Sequence, residues 1–169
     1  MTENNSTPPS EGAIMERAFS YCNESMKTIA LQCRRLQTTE PEDSEFLFRK
    51  WADLRFLILS LDRLYKSAHL MRKIPSAMSD VDKALHKFNN SIPFLKKFRD
   101  VGEHFDDYSV DSGKRDDVTR FELQVGKWND DYFEWLDETL NILDTQNAAK
   151  ELFIAMRDIK NNFFHRENA

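Results

Sequence analysis

Arg99, Asp100, Glu103, His104, Asp106, Asp107 and Tyr108 fall within ten consecutive positions of the chain. Asp100 and His104 are four residues apart, which makes them neighbours on one shoulder of a helix. Asp100 could accept a hydrogen bond from one imidazole nitrogen of His104, fixing the tautomer and raising the basicity of the other nitrogen. Arg99 offers a planar fork for a phosphate or a carboxylate. An orienting acid, a histidine and an arginine are what cleavage at an RNA phosphodiester needs. The histidine moves a proton to or from the 2′-hydroxyl or the leaving oxygen, and the arginine stabilises charge on the phosphorane. On one ideal helix Arg99 and His104 lie about 140° apart. Their convergence therefore needs a local distortion, a long arginine reach or a second chain.

The same residues have other readings. Arg99 and Glu103 are spaced for an i,i+4 salt bridge, and His104 could pack at the core edge tied to Asp100. Glu103, His104 and Asp107 suggest a metal set, but a helical pair needs further ligands that the sequence does not supply, so no metal or other cofactor is expected. Upstream, Lys83, Lys87, Lys96 and Lys97 lead to Arg99 with no acid from 83 to 99. This strip suits a phosphate backbone; otherwise it is a solvated helix face. Gly102, between Arg99 and His104, would permit close approach of another helix.

These residues need a scaffold, and 169 residues with 40% hydrophobic and 31% charged composition support a single domain with a real core. Four Gly and five Pro are too few for an all-β sandwich. A net charge of −5 gives no ground for whole-surface nucleic-acid binding. Cys22 and Cys33 lie on one apolar helical stripe, about 16 Å apart along the axis and beyond disulfide reach. They read as buried core residues. With no apolar leader and no run approaching a membrane span, the expectation is a soluble, cytoplasmic protein with no membrane partner.

Residues 1–11 are polar, with paired prolines, and read as a disordered tail before a domain at 12–169. Ile14, Ala18, Cys22, Met26, Ile29, Cys33 and Leu36 predict a first helix from Gly12 to Gln37. A turn at Pro41 leads to a second, capped by Ser44 and running to Lys73, with Leu47, Trp51, Leu54, Ile58, Leu61, Tyr65 and Ala68 inward. Ser79-Asp-Val-Asp82 resembles a capping box and opens a third helix. Its inward residues are Val81, Leu85, Phe88, Ile92, Leu95, Phe98, Val101 and Phe105. Pro93 should kink it without breaking it, with Ser91 a candidate local cap. After a polar loop at 109–117, alternation at Phe121, Leu123 and Val125 predicts a strand. Gly126 to Asp131 then reads as a turn, and Tyr132 to Leu143 as a second hairpin about Asp137-Glu138. An amphipathic helix over 131–143 is the alternative. A last helix starts at Asp144 or Thr145, and the tail from Phe164 should fray, with His165 a favourably placed cation. The expected architecture is a four-helix up-and-down bundle with a β insertion at about 118–143.

The string Arg99-Asp-Val-Gly-Glu-His104 has the form Arg, four residues, His. It resembles the motif of the HEPN superfamily (higher eukaryotes and prokaryotes nucleotide-binding), all-helical bundles that include metal-independent endoribonucleases. Arg99-Asp100, Glu103-His104-Phe105-Asp106 and Tyr108 also resemble a pattern in uncharacterised bacterial helical proteins. The resemblance implies Arg99, Asp100 and His104 as site residues, RNA or a nucleotide as ligand, and a homodimer that assembles Arg and His from two chains. Against it stands a non-catalytic helical protein that meets a protein partner through Trp128, Tyr132 and Trp135. Asp106, Asp107, Asp111, Asp116 and Asp117 would repel RNA beside the motif.

Overall fold

The computed structural model describes residues 8–167. It is mainly helical, with a small three-stranded antiparallel sheet. Part of the expected 1–11 tail, residues 1–7, lies outside the described residues, as do 168 and 169. Ser10 already caps the first helix, its hydroxyl accepting from the Ala13 N–H at 3.2 Å.

Helix α1 spans Glu11–Gln37 and α2 spans Phe46–Met71. α1 buries Met15, Ala18, Cys22, Ile29, Cys33 and Leu36, the spacing of one helical face. It packs on α2 and on the last helix. Ser44 does not cap α2: Asp43 accepts the Glu45 N–H at 2.9 Å instead. Leu47, expected inside, is 68% exposed.

The third helical segment is interrupted twice. α3 spans Met78–Ser91, α4 Leu95–Glu103 and α5 Phe105–Ser109. Ser79 sits inside the first turn of α3, so the predicted capping box does not form. Pro93 causes a break, not a kink. Ile92 leaves helical geometry at φ −134°, ψ 64°, as a residue before proline tends to. Ser91 does not cap α4 and donates back to the Lys87 carbonyl at 3.1 Å. The apolar phase survives, with Val81, Leu85, Phe88, Ile92, Leu95, Phe98 and Val101 all buried. The second interruption, at His104, turns α5 so that Tyr108 enters the core and Phe105, expected inside, is 64% exposed.

The strands are β1 (Gly126–Trp128), β2 (Tyr132–Trp135) and β3 (Glu138–Asn141), in that spatial order. Phe133 pairs with Trp128 on one side and Leu140 on the other. The first expected strand is absent. Phe121, Leu123 and Val125 lie in turns held by the Glu122 carboxylate, which accepts the Thr119 N–H and hydroxyl. The expected turn at Gly126 is strand β1. Gly126 is required there, because a Cβ would stand 2.8 Å from the Phe133 ring and 2.9 Å from the Glu134 carbonyl oxygen. The expected second hairpin forms as β2 and β3, turning at Leu136 and Asp137 with φ of 51° and 59°. Two successive positive φ values match the right-handed strand twist.

Helix α6 spans Ile142–Glu167, excluding the helical alternative for 131–143. Asn141 accepts the Asp144 N–H at 3.0 Å, so the helix begins earlier than the predicted Asp144. α6 packs on α1 and α3. The sheet closes on α2: the Trp51 ring meets Phe133 at 4.9 Å and Trp135 at 5.5 Å, both edge-on. Trp135 is buried, and Trp128 and Tyr132 are half-buried.

Candidate functional site

Arg99 sits in the middle of α4, facing α2. Its Nη1 donates to Asp62 Oδ1 at 3.0 Å, and Asp62 is only 6% exposed. Lys66 holds the other oxygen of Asp62 at 2.6 Å. The expected i,i+4 pair with Glu103 exists as a looser 3.6 Å contact. Asp62 raises the pKa of the Arg99 guanidinium by its hydrogen bond and its charge. A carboxylate buried with two cations is a compensated ion group that joins α2 to α4.

Asp100 turns the other way. It accepts the Tyr108 hydroxyl at 2.9 Å, and Arg115 Nε lies 3.4 Å from the same oxygen. Burial and the Asp100 carboxylate raise the Tyr108 pKa, so the phenol stays a donor. The Tyr108 ring lies against Gly113, where an added Cβ would stand 2.2 Å from two ring carbons. The polar loop after α5 is therefore pinned to the motif through Asp100, Tyr108 and Gly113.

His104 takes neither expected partner. It is the junction of α4 and α5, at φ −117°, ψ 34°. Only its backbone is engaged: the N–H donates to the Asp100 carbonyl at 3.1 Å, and its own carbonyl accepts from Tyr108. Its side chain is exposed and has no partner among the described residues. The predicted Asp100–His104 side-chain hydrogen bond is absent because the helix ends between them and Asp100 is taken by Tyr108. Gly102 faces open space, with nothing within 4 Å of an added Cβ, so among the described residues no helix of the same chain uses it for close approach.

The basic strip is largely neutralised. Lys83 pairs with Asp80 at 3.2 Å, Lys87 with Glu151 at 3.1 Å and Lys97 with Asp117 at 2.9 Å. Lys96 is exposed and unpaired among the described residues. It lies with Arg99, Asp62, Tyr65 and Asn89 around a surface cleft of about 530 Å³ beside the Ile92-Pro93 break. His104 does not line it. Within one chain, then, the structure brings Arg99 to Lys96 but not to His104.

Sequence reasoning missed Asp62, Tyr65, Asn89, Gly113 and Arg115. Asp62 left a signal, a carboxylate amid the apolar run of α2. Arg115 left none, being one charge in a polar loop. Among the described residues no group of three or more His, Cys, Asp or Glu stands where it could hold a metal ion. No described helix is long and apolar enough to cross a membrane. No protein-family model matches this chain, and neither a curated protein nor a solved structure matches it.

Proposed function

We propose that the chain is a non-catalytic helical binding module in which the Arg99–His104 stretch is a structural clasp. One observation carries this reading: Arg99 and Asp100 are each held by a buried partner, Asp62 and Tyr108, and both point away from the exposed His104. An arginine tied to a buried carboxylate is not free to follow a phosphorane. The architecture fits a four-helix up-and-down bundle if α3 and α4 count as one interrupted rod. Two buried free thiols fit a reducing compartment such as the cytoplasm.

A second reading rests on His104 itself. An exposed imidazole with no partner is available to a second copy, as a HEPN-like ribonuclease acting as a homodimer would require. Substitution separates the two. The clasp predicts that Arg99→Gln lowers stability by about 1–2 kcal/mol, since it strips a donor from a buried carboxylate. It predicts that His104→Ala stays within about 0.5 kcal/mol of the parent, as an exposed change does. Equal, negligible effects in chemical denaturation would remove the clasp.

A further inference from the structure

The α1–α2 hairpin turns a second apolar stripe away from the core. Tyr21 and Leu31 of α1 and Phe56 and Leu59 of α2 are 40–56% exposed. Tyr21, Glu24, Thr28 and Leu31 repeat at three and four residues and so share one face of α1, and Ala52, Phe56, Leu59 and Arg63 do the same on α2. The two faces meet in a shallow groove of about 200 Å³, with Glu24 and Thr28 on one wall and Phe56, Leu59 and Arg63 on the other. The hydroxyls along it are satisfied within their own helices: Ser25 donates to the Tyr21 carbonyl, Thr28 to Glu24 and Ser60 to Phe56, at 2.6–3.0 Å. One end is closed by Arg63, which donates to Glu24 at 3.0 Å and lies 5.7 Å from the centroid of the Tyr21 ring. Over 17–37 and 46–71 Glu24 is the only exposed carboxylate, because Asp53 and Asp62 are buried. Lys27 and Arg34, four and three residues from Leu31, and Arg55, four residues from Leu59, are exposed and make no ion pair among the described residues. The stripe is thus apolar along its middle and cationic along both margins, in a chain of net charge −5.

We propose that this groove receives an acidic amphipathic helix of a partner protein, its aliphatic residues on Tyr21, Leu31, Phe56 and Leu59 and its carboxylates on Lys27, Arg34 and Arg55. Both walls are helices whose backbone groups are already bonded, so a strand has nothing to pair with, whereas a third helix packs its ridges into the groove. From Tyr21 to Leu31 the stripe runs about 15 Å, the length of about three helical turns. The cationic margins favour a partner with acidic shoulders and disfavour a basic one. They also disfavour a second copy presenting the same face, which would set Lys27, Arg34 and Arg55 against their own kind. Phe56 and Leu59 line a recess, a shape that suits inserted side chains better than a lipid surface. The inference deepens the binding-module reading and rests on it in taking the chain to work by association.

The test is fluorescence anisotropy of a labelled peptide titrated with the full chain. The peptide is a capped helix of leucine, alanine and glutamate, with leucine at i, i+3, i+4 and i+7 and glutamate on both shoulders. It should bind, and versions with glutamine or lysine in place of glutamate should bind at least about tenfold more weakly. Leu59→Asp should weaken the glutamate peptide by about tenfold or more, and so should Lys27→Glu combined with Arg34→Glu. All three positions are exposed, and unfolding curves confirm that the variants fold. The charge-reversed pair should in turn gain affinity for the lysine peptide. No binding of the glutamate peptide at near-millimolar chain overturns the proposal, as does equal binding of the glutamine version or indifference to Leu59→Asp. Co-sedimentation with vesicles of phosphatidylcholine and phosphatidylserine that Leu59→Asp abolishes would assign the face to a membrane surface. A dimer in analytical ultracentrifugation that the same variant dissociates would assign it to a second copy, and either result overturns the proposal. These failures leave the clasp standing, because that is read from the stability of Arg99→Gln. Histidine-dependent RNA cleavage would overturn the clasp and leave the groove intact.

Discussion

Tyr108 is 1% exposed, and its one polar atom is spent on Asp100. Removing that hydroxyl leaves Asp100 to Arg115 alone. Tyr108→Phe should therefore cost about 0.5–1.5 kcal/mol in chemical denaturation, the net value of one such bond. Gly113→Ala acts on the same ring from the other side. Its Cβ has no room, so the loop must move off the ring, at a cost of about 1–3 kcal/mol. The two effects should be less than additive, because either change releases the same loop. A Gly113→Ala variant as stable as the parent would mean that the loop does not rest on Tyr108. The residue types at this site were legible in the sequence, but their partners were not. Asp100 was two plausible bonds away from an assignment: His104 on the helical wheel and Tyr108 two turns on. The wheel favours His104 only while the helix continues, and it stops at that residue.

At the scale of elements, the most consequential side chain is Lys50 of α2. It is 1% exposed, yet its ammonium donates to the carbonyls of Arg35, Leu36 and Thr38 at 3.0–3.3 Å, closing the C-terminal end of α1. The same ammonium lies 4.4 Å from the centroid of the Trp128 ring on β1. One cation thus satisfies the open carbonyls of a helix end and seats the sheet beside it. Lys50→Met keeps the stem but strands those carbonyls, and should cost about 2–3 kcal/mol in urea unfolding. A loss within experimental error would contradict this role. The four long helical stretches and the second hairpin were readable because each repeats its apolar period over several turns or carries a clear alternation. Strand β1 was not, because Gly126-Lys-Trp128 has no period of its own. It is a strand because Phe133 and Trp135 across the sheet need a partner and Gly126 lets them approach. Phe121 to Val125 has the alternation without a neighbour to pair with, and Glu122 turns it back on Thr119. The break at Pro93 keeps the apolar phase, so the sequence signals the proline but not the lost helical turn.

Over the whole molecule, α1, α2, α3, α4 and α6 share one core with Phe133, Trp135 and Leu140 of the sheet. Both cysteines lie inside it. Burial pushes the Cys22 thiol up to about 12 and the Cys33 thiol up to about 11, away from the thiolate form. A thiol reagent at pH 8 should therefore find neither until the chain unfolds, and then both; fast labelling of the native protein would contradict the core. Acid should weaken the α1–α2 loop. Arg49 holds the Glu40 and Asp43 carboxyls below their usual range, chiefly by direct hydrogen bonds. Depressed carboxylates stabilise the fold above their unfolded pKa, and that contribution disappears as pH falls through the lower folded values. Arg49→Ala should accordingly flatten the loss of stability below about pH 4. The central claim is that Arg99 and Asp100 hold the fold, and that neither they nor the exposed His104 cleave RNA. It is tested most directly by incubating the purified chain with labelled single-stranded and structured RNA in EDTA, beside His104→Ala. The account predicts no cleavage by the parent beyond that of the variant. Metal-independent cleavage by the parent that vanishes in His104→Ala would contradict it and establish the histidine as catalytic.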